Sequence, residues 1–408
     1  MALSTEALPD TARKWEVADI FREFGEGYRK ENPLSLEKLK VMHSIEVCRT
    51  AYLGGHIEQC DTCGFERQAY NSCRNRHCPK CQTLTKAQWV EDRKSELLPV
   101  PYFHNVFTLP HELNPIALCN KKTVYSILFK AVSEALLAFG RNNLGGLLGF
   151  IAILHTWDQR LLDHIHLHCV IPGGVLSADK TKWIPTKDDY LFNVKALSLV
   201  FRGKFIDYLQ KARAKGDLQF PGNTAKYATQ EGFSELIKVL WSKNWVVYSK
   251  KPFAGPEQVV EYVGRYTHRI AISNNRIVDV RDGDVTFTYR DRKHNNILRL
   301  KTLKSGEFIR RFLLHVLPSG FMKIRHFGFL CNTKKKDNLQ LCRQLIGVDA
   351  QPLEREKRPA CELMFELTGT DITKCPCCGE GRMLVIVEIP YPSRRLRMRP
   401  SLRAVDSS

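Results

Sequence analysis

Apolar and polar residues along the 408-residue chain recur with two periods, which predict both helices and strands. Helical spacing predicts two helices within 14–50 and further helices at 83–98, 115–139, 197–214 and 256–266, with a basic helical stretch at 300–345. Short apolar runs bounded by turn residues predict strands at 103–109, 148–157, 164–171 and 244–248, and a hairpin at 277–289. This mixture favours an α+β fold with an antiparallel sheet.

The strand predicted at 164–171 carries three histidines on one face. Side chains alternate along a strand, so His164, His166 and His168 share a face and the intervening apolar residues share the other. A row of half-buried histidines held by hydrogen bonds is the plain alternative. Imidazole is the commonest metal ligand, and packing alone does not favour such a face, so we predict a divalent-metal site.

Imidazoles alone do not satisfy a hard divalent ion, so an oxygen ligand is expected as well. The neighbouring predicted strand ends in His155-Thr156-Trp157-Asp158-Gln159, which offers Asp158 and Gln159. Of these two, Gln159 is the preferred ligand.

Fourteen cysteines occur, and several are spaced as zinc ligands. Cys60-x-x-Cys63 and Cys78-x-x-Cys81 are separated by fourteen residues, and they predict one closed, structural zinc site. Between them, Cys73 and His77 are candidates to replace one of the four or to help hold a second ion.

A second cysteine group lies near the end of the chain. Cys375 and Cys378 form a half-site for a second zinc ion, with Cys361 and Cys331 as candidates for the missing ligands. The N-terminus carries no secretion signal and no apolar run is long enough for a membrane span, so we expect an intracellular protein whose cysteines bind metal.

The formal net charge of +19 favours a polyanionic partner, most simply nucleic acid. Arg74 and Arg76 lie between the first cysteine pairs, where they are suited to contact phosphates.

Two tyrosines project from one face of the helix predicted at 256–266. Tyr262 and Tyr266 are four residues apart, a spacing that by itself usually reflects packing. Beside a metal site, the same pair suits nucleophilic attack on a phosphodiester, which leaves a covalent phosphotyrosine link. Tyr266 is the first choice, because the nearby cations can position DNA phosphates. These cations are Arg265, His268 and Arg269.

Several blocks in order resemble the HUH (His-hydrophobe-His) rolling-circle transposases of the insertion sequence 91 family. The blocks are residues 72–81, 107–113, 154–157, 166–169 with 172–174, 262–269, 308–318 and 324–330. The resemblance implies cleavage and transfer of single-stranded DNA at transposon ends and target DNA, through a 5′-phosphotyrosine intermediate with magnesium or manganese. It assigns the metal pair to His166 and His168, with His164 as an outer neighbour, and the nucleophiles to Tyr262 and Tyr266.

The resemblance and the composition together divide the chain into five parts. The parts are an N-terminal helical and zinc-binding module (1–98), a first part of a HUH nuclease core (99–176), a helical insertion (177–243), a second core part with the tyrosine helix (244–295) and a basic C-terminal region (296–408). The expected location is the bacterial cytoplasm, on the nucleoid when DNA is bound.

Three other functions would account for part of this sequence pattern. A rolling-circle replication initiator or relaxase-type nickase would use the same strand and helix, but the blocks outside the site and the lack of a Walker motif disfavour it. A non-catalytic zinc-ribbon DNA-binding regulator would leave His166, His168 and both tyrosines without a role. A metal-dependent hydrolase differs by its product, since it leaves no protein–DNA adduct.

Overall fold

The computed structural model describes residues 14–94, 96–187, 190–250, 271–291, 294–348 and 359–391, together with Gln258 and Gly264. The helices are α1 Val17–Glu31, α2 Leu36–Glu46, α3 Pro79–Lys94, α4 Asn114–Cys119, α5 Lys121–Leu144, α6 Val194–Ala214, α7 Gln230–Ser242, α8 Ser305–Leu314, α9 Lys335–Ile346 and α10 Ala360–Thr368. The strands are β1 Gly55–Cys60, β2 Glu66–Tyr70, β3 Tyr102–Thr108, β4 Gly146–Leu147, β5 Gly149–Trp157, β6 Asp163–Pro172, β7 Gly174–Ser177, β8 Trp183–Pro185, β9 Val247–Lys250, β10 Ile277–Arg281, β11 Asp284–Asp291, β12 Ile297–Lys304, β13 Ile324–Gly328 and β14 Met383–Ile389.

A five-stranded antiparallel sheet forms the centre of the molecule, in the order β13-β5-β6-β3-β9. All four strands predicted between residues 103 and 248 belong to it. The register places His155 of β5 opposite His166, and Ile153 opposite His168. Residues that face each other across an antiparallel pair lie on the same side of the sheet, so His155 shares a face with the histidines of β6.

The opposite face of this sheet supports the main hydrophobic core. Ile165, Leu167 and Cys169 of β6 are each no more than 1% exposed and pack in one cluster with residues of α5 and α6. Helix α5 is long and apolar enough to cross a membrane, but 61% of its most apolar window is buried inside the protein. These contacts make α5 the central helix of the core and hold the histidine strand rigidly from behind.

A second hydrophobic cluster joins segments that are far apart in the sequence. Helices α1 and α2, within the two-helix stretch predicted at 14–50, pack with α8 and with the separate sheet β10-β11-β12. Phe21 of α1 meets Phe312 of α8 edge to face, with ring centroids 5.2 Å apart.

The helical prediction for 300–345 is wrong in part. Its N-terminal end lies in β12, and β13 pairs with β5 at the edge of the central sheet. The segment Ile324–Gly328 forms a short edge strand, whose side chains point alternately to the two faces of the sheet. The spacing of apolar residues over so few positions does not distinguish such a strand from a helix. The C-terminal region predicted from residue 296 therefore contributes a strand to the central sheet.

The two remaining sheets are small. Strands β4, β7 and β8 form one, and β14, β1 and β2 form the other. In the latter, a strand from the end of the chain pairs with a strand from its beginning.

Candidate functional site

Three imidazoles converge on the central sheet. The ring nitrogens of His155, His166 and His168 all lie within 4.8 Å of one another, and each side chain is at most 6% exposed. His166 Nε2 is 3.0 Å from His155 Nδ1 and 3.0 Å from His168 Nε2. The three histidines come from two neighbouring strands, and the β5–β6 register places His155 beside His166.

Hydrogen bonds fix the orientation of two of these rings. His166 Nδ1 donates to the carbonyl oxygen of His164 over 2.8 Å, which leaves its Nε2 lone pair directed into the cluster. His168 Nδ1 lies 2.8 Å from Nε2 of His104, a residue of β3 that is 2% exposed. Partners of this kind fix the tautomer and position of a histidine that binds metal.

The geometry fits a metal ion. Two nitrogens about 2.1 Å from an ion and at right angles to each other are about 3.0 Å apart, which matches both nitrogen separations at His166. Among the described residues no carboxylate joins the three imidazoles. An all-nitrogen set is suited to transition ions more than to magnesium.

Neither His155 nor His104 is among the ligands predicted from the sequence. The strand predicted at 148–157 contains His155, but its partner across the sheet depends on a register that one sequence does not reveal. His104 lies in another predicted strand and carries no motif.

The predicted oxygen ligands lie just beyond the end of β5. Asp158 Oδ1 accepts hydrogen bonds of 2.8 Å from the backbone N–H groups of Arg160 and Leu162, so this carboxylate stabilises the β5–β6 turn. The carbonyl oxygen of Gln159 accepts a hydrogen bond from Arg276. Metal binding by the Gln159 side chain stays a prediction.

The predicted nucleophiles Tyr262 and Tyr266 lie outside the described residues, as do Arg265, His268 and Arg269. Gly264, between the two tyrosines, is helical and buried. A Cβ atom at Gly264 would lie 2.3 Å from Cγ2 of Val90 in α3, so this glycine allows the backbone at residue 264 to lie close against the Val90 side chain.

Helix α3 belongs to the histidine side of the sheet. Its Trp89 packs in a cluster with Ile153 and Val170, which share a face with His168. Gly264 thus lies against the helix on the imidazole face.

The first cysteine cluster contains Cys48, Cys73, Cys78 and Cys81. Cys81 Sγ is 3.6 Å from the Sγ atoms of Cys48 and Cys73, and Cys78 Sγ is 3.6 Å from that of Cys48. Sulfur atoms about 2.3 Å from a tetrahedral zinc are about 3.8 Å apart, so the four fit one ion. The cysteines are free, and their separations are far from a disulfide bond length.

The second cluster contains Cys60, Cys63, Cys375 and Cys378, so the predicted site of Cys60, Cys63, Cys78 and Cys81 is wrong in its grouping. The reason is the β1–β2 hairpin. Cys60 and Cys63 lie at its tip, whereas Cys48 and Cys73 flank its base. Five residues of extended strand separate the ends by about 17 Å, too far for one ion.

Other predicted zinc ligands lie elsewhere. His77 is in neither cluster, and its Nε2 accepts a hydrogen bond of 3.4 Å from Leu317 N. Burial lowers the pKa of His77 to about 3 and keeps the ring neutral. Cys361 and Cys331 likewise belong to neither cluster of the described chain.

The two arginines between the cysteine pairs differ in their surroundings. Arg74 is exposed and has a left-handed backbone, with φ of 51°. Arg76 donates to the backbone carbonyl oxygens of Phe321, Pro318 and Leu317 over 2.6, 2.7 and 3.4 Å. The guanidinium of Arg76 therefore ties the cysteine loop to the α8–β13 connection.

Two protein families match this chain. Residues 149–337 match the model of a putative transposase, and residues 20–109 match a transposase zinc-binding domain of the insertion sequence 91 type.

Whole proteins and a solved structure are also similar. A putative transposase from Sinorhizobium fredii is 49% identical over 91% of this chain and 94% of its own length. The transposase for insertion sequence element IS801 from Pseudomonas savastanoi pv. phaseolicola is 27% identical over 86% of this chain and 84% of its own length. The conjugative relaxase TrwC, solved in complex with mutant oriT DNA, is 13% identical with a TM-score of 0.21, over 60% of this chain and 74% of the relaxase chain, a likeness too low to support an argument. The two domain matches and the extent of the 49% identity establish that the chain belongs to the insertion sequence 91 family of transposases.

Proposed function

We propose that this transposase cleaves and rejoins single-stranded DNA at the ends of its element and in target DNA, through a 5′-phosphotyrosine intermediate. The convergence of His155, His166 and His168 on one rigid sheet face carries the proposal. His104 and the His164 carbonyl add support because they hold two of the rings in place.

The three imidazoles would hold the divalent ion. A bound ion would polarise the scissile phosphate and stabilise the negative charge that develops on its oxygens. His166 and His168 offer Nε2 and His155 offers Nδ1, with buried walls that limit the access of water. Three nitrogen donors favour manganese over magnesium.

The nucleophile would be Tyr266 or Tyr262. The phenol loses its proton, and its oxygen forms a bond to phosphorus while the bond from phosphorus to the 3′ oxygen breaks. The departing 3′ oxygen gains a proton, and the 5′ phosphate stays on the protein. A 3′ hydroxyl of another strand reverses these changes, so one phosphodiester is exchanged for another with no external energy source.

Tyr262 and Tyr266 are four residues apart, and on the predicted helix this spacing would allow two such exchanges at one site. One phenol would cleave the donor strand, and the other would cleave the target or release the finished strand. The closeness of Gly264 to Val90 supports this proposal, because Gly264 stands between the two tyrosines in the sequence and lies against the helix on the imidazole face.

The N-terminal module would hold the end of the element near the nuclease. Its first cysteine cluster fits a structural zinc ion, and the exposed Arg74 of the cysteine loop is available for a phosphate. The net charge of +19 supports binding to DNA, with the salt dependence that counterion release produces.

Adduct formation tests the proposal. Labelled single-stranded DNA carrying the element's end is incubated with manganese and the full chain, and the products are separated on a denaturing protein gel. We expect label in the protein band for the wild type. Tyr262→Phe and Tyr266→Phe should each reduce it, and the double variant should abolish it.

Matched histidine variants complete the experiment. His155→Ala should abolish the adduct, whereas His164→Ala should retain it, because the His164 ring is exposed and the substitution keeps the backbone carbonyl oxygen that accepts the hydrogen bond from His166. Cleavage without adduct would instead indicate activated water. Binding without cleavage would favour a non-catalytic regulator. Either of these two results would refute the covalent mechanism.

A further inference from the structure

The C-terminal segment meets the tip of the β1–β2 hairpin through four cysteines. Cys60 Sγ is 3.7 Å from Cys378 Sγ, and Cys63 Sγ is 3.6 Å from Cys375 Sγ. All four sulfur atoms lie within 4.8 Å of one another. We propose that they bind a second structural zinc ion, which fastens residues 359–391 to the N-terminal module.

Each half of this site has the local geometry of a zinc-binding turn. The backbone N–H groups of Thr62 and Cys63 donate to Cys60 Sγ, both over 3.4 Å. In the second turn, Cys377 N donates to Cys375 Sγ over 3.3 Å and Gly381 N donates to Cys378 Sγ over 3.3 Å. These hydrogen bonds stabilise thiolates, which are the form that binds zinc.

The two turns are fitted closely to each other. A Cβ atom at Gly381 would lie 2.3 Å from Cys60 Sγ, so a larger residue would push the turns apart. Asp61 Oδ1 accepts a hydrogen bond of 2.8 Å from Arg382 N, and Asp61 N donates to the carbonyl oxygen of Arg382 over 3.1 Å. Four thiolates leave no open position on a tetrahedral ion, which makes the site structural.

Apolar packing does little to hold this junction. The local hydrophobic cluster contains only Cys60, Cys375 and Met383 as buried members of the described chain, with Cys378 against them. Along β14 the large apolar side chains Leu384, Val385, Ile386 and Val387 are 46–57% exposed. Because β14 pairs with β1 through its backbone but leaves these side chains exposed, a zinc ion would add substantially to the attachment.

The known family domains do not account for this site. The zinc-binding model covers residues 20–109 and contains the whole first cluster, whereas the transposase model covers 149–337. Cys375 and Cys378 lie outside both. The inference is independent of the cleavage chemistry, since it depends only on the cysteines and the β1–β14 pairing.

Zinc content measured by mass spectrometry tests the proposal on the full chain. The double variant Cys375→Ser/Cys378→Ser should contain one zinc ion fewer per chain than the wild type. Cys377→Ser, an exposed cysteine of the same turn outside the cluster, should lose none. Zinc bound at the histidine cluster would contribute equally to the wild type and to the variant, so it does not affect the difference in zinc content between them. Equal zinc content in the double variant and the wild type would overturn the proposal.

Alkylation of the wild type provides a test that does not depend on a variant's folding. Cys63 and Cys377 are both exposed, but only Cys63 belongs to the cluster. Iodoacetamide should modify Cys377 readily and Cys63 at least about tenfold more slowly, and a zinc chelator should remove the difference. Equal rates in the zinc-loaded protein would contradict the site.

Discussion

The hydrogen bond between His104 and His168 gives a specific test of how the metal cluster is held. If His168 binds the ion through Nε2, its Nδ1 carries the proton and donates to His104 Nε2 over 2.8 Å. The two rings are nearly parallel, with an interplanar angle of 10° and centroids 5.0 Å apart, as expected for imidazoles joined edge to edge by this hydrogen bond. His104→Leu removes this acceptor from the Nδ1–H of His168, whose side chain is 5% exposed.

The expected loss follows from the role of such partners. Removing an outer hydrogen-bond partner of a metal-binding histidine weakens metal affinity about 10–100-fold, or about 1.4–2.7 kcal/mol. Removing the acceptor of a buried donor also lowers the free energy of unfolding, by about 1–3 kcal/mol. His104→Gln keeps an acceptor oxygen and should recover most of the affinity.

Isothermal titration with manganese measures the affinity, and thermal unfolding measures stability separately. His326→Leu is the control, because His326 lies on the same face of the sheet, pairs with Ile151 and does not belong to the cluster. We expect weaker manganese binding in His104→Leu and wild-type binding in His326→Leu. Unchanged affinity in His104→Leu would refute the assigned role of His104.

Three further predictions concern the helix contact, the ion and pH. Gly264→Ala should lower adduct yield about tenfold, because its Cβ would lie 2.3 Å from Val90 Cγ2; Val90→Ala in the same chain should restore the yield, and failure to do so would discount this contact. Manganese should support adduct formation at about tenfold lower concentration than magnesium in a metal titration, and the reverse preference would contradict the three-imidazole site. Burial lowers the pKa of His315 to about 4, so the unfolded chain takes up the proton first as pH falls. The free energy of unfolding should therefore fall by about 1.4 kcal/mol per pH unit through His315 between its unfolded pKa of about 6.5 and its folded one. His315→Asn should remove that part of the slope in denaturant titrations, and an unchanged slope would refute it.

The central sheet could be predicted from sequence because its strands are short apolar runs with clear boundaries. The segment predicted at 164–171 corresponds to β6, and its histidines share a face as alternation requires. The edge strand β13 was missed, because an edge strand of mixed residues lacks the continuous apolar pattern of a central one.

Contacts between distant segments set the limit of the prediction. Cys60 and Cys378 are separated by 318 residues, and spacing within each pair carries no information on which pairs meet. Cys48 occurs alone, without a second cysteine at ligand spacing, so no motif in the sequence identifies it as a zinc ligand. The role of His155 can be recognised only from the β5–β6 register, and that of His104 only from the β3–β6 register.

Localisation of the covalent link tests the central claim most directly. The wild-type adduct formed with manganese is digested with nuclease and protease, and tandem mass spectrometry identifies the residue that carries the nucleotide. We expect a 5′-phosphate on Tyr266 or Tyr262, and no such peptide from His155→Ala. A nucleotide on any other residue, or cleaved DNA without a modified peptide, would contradict it.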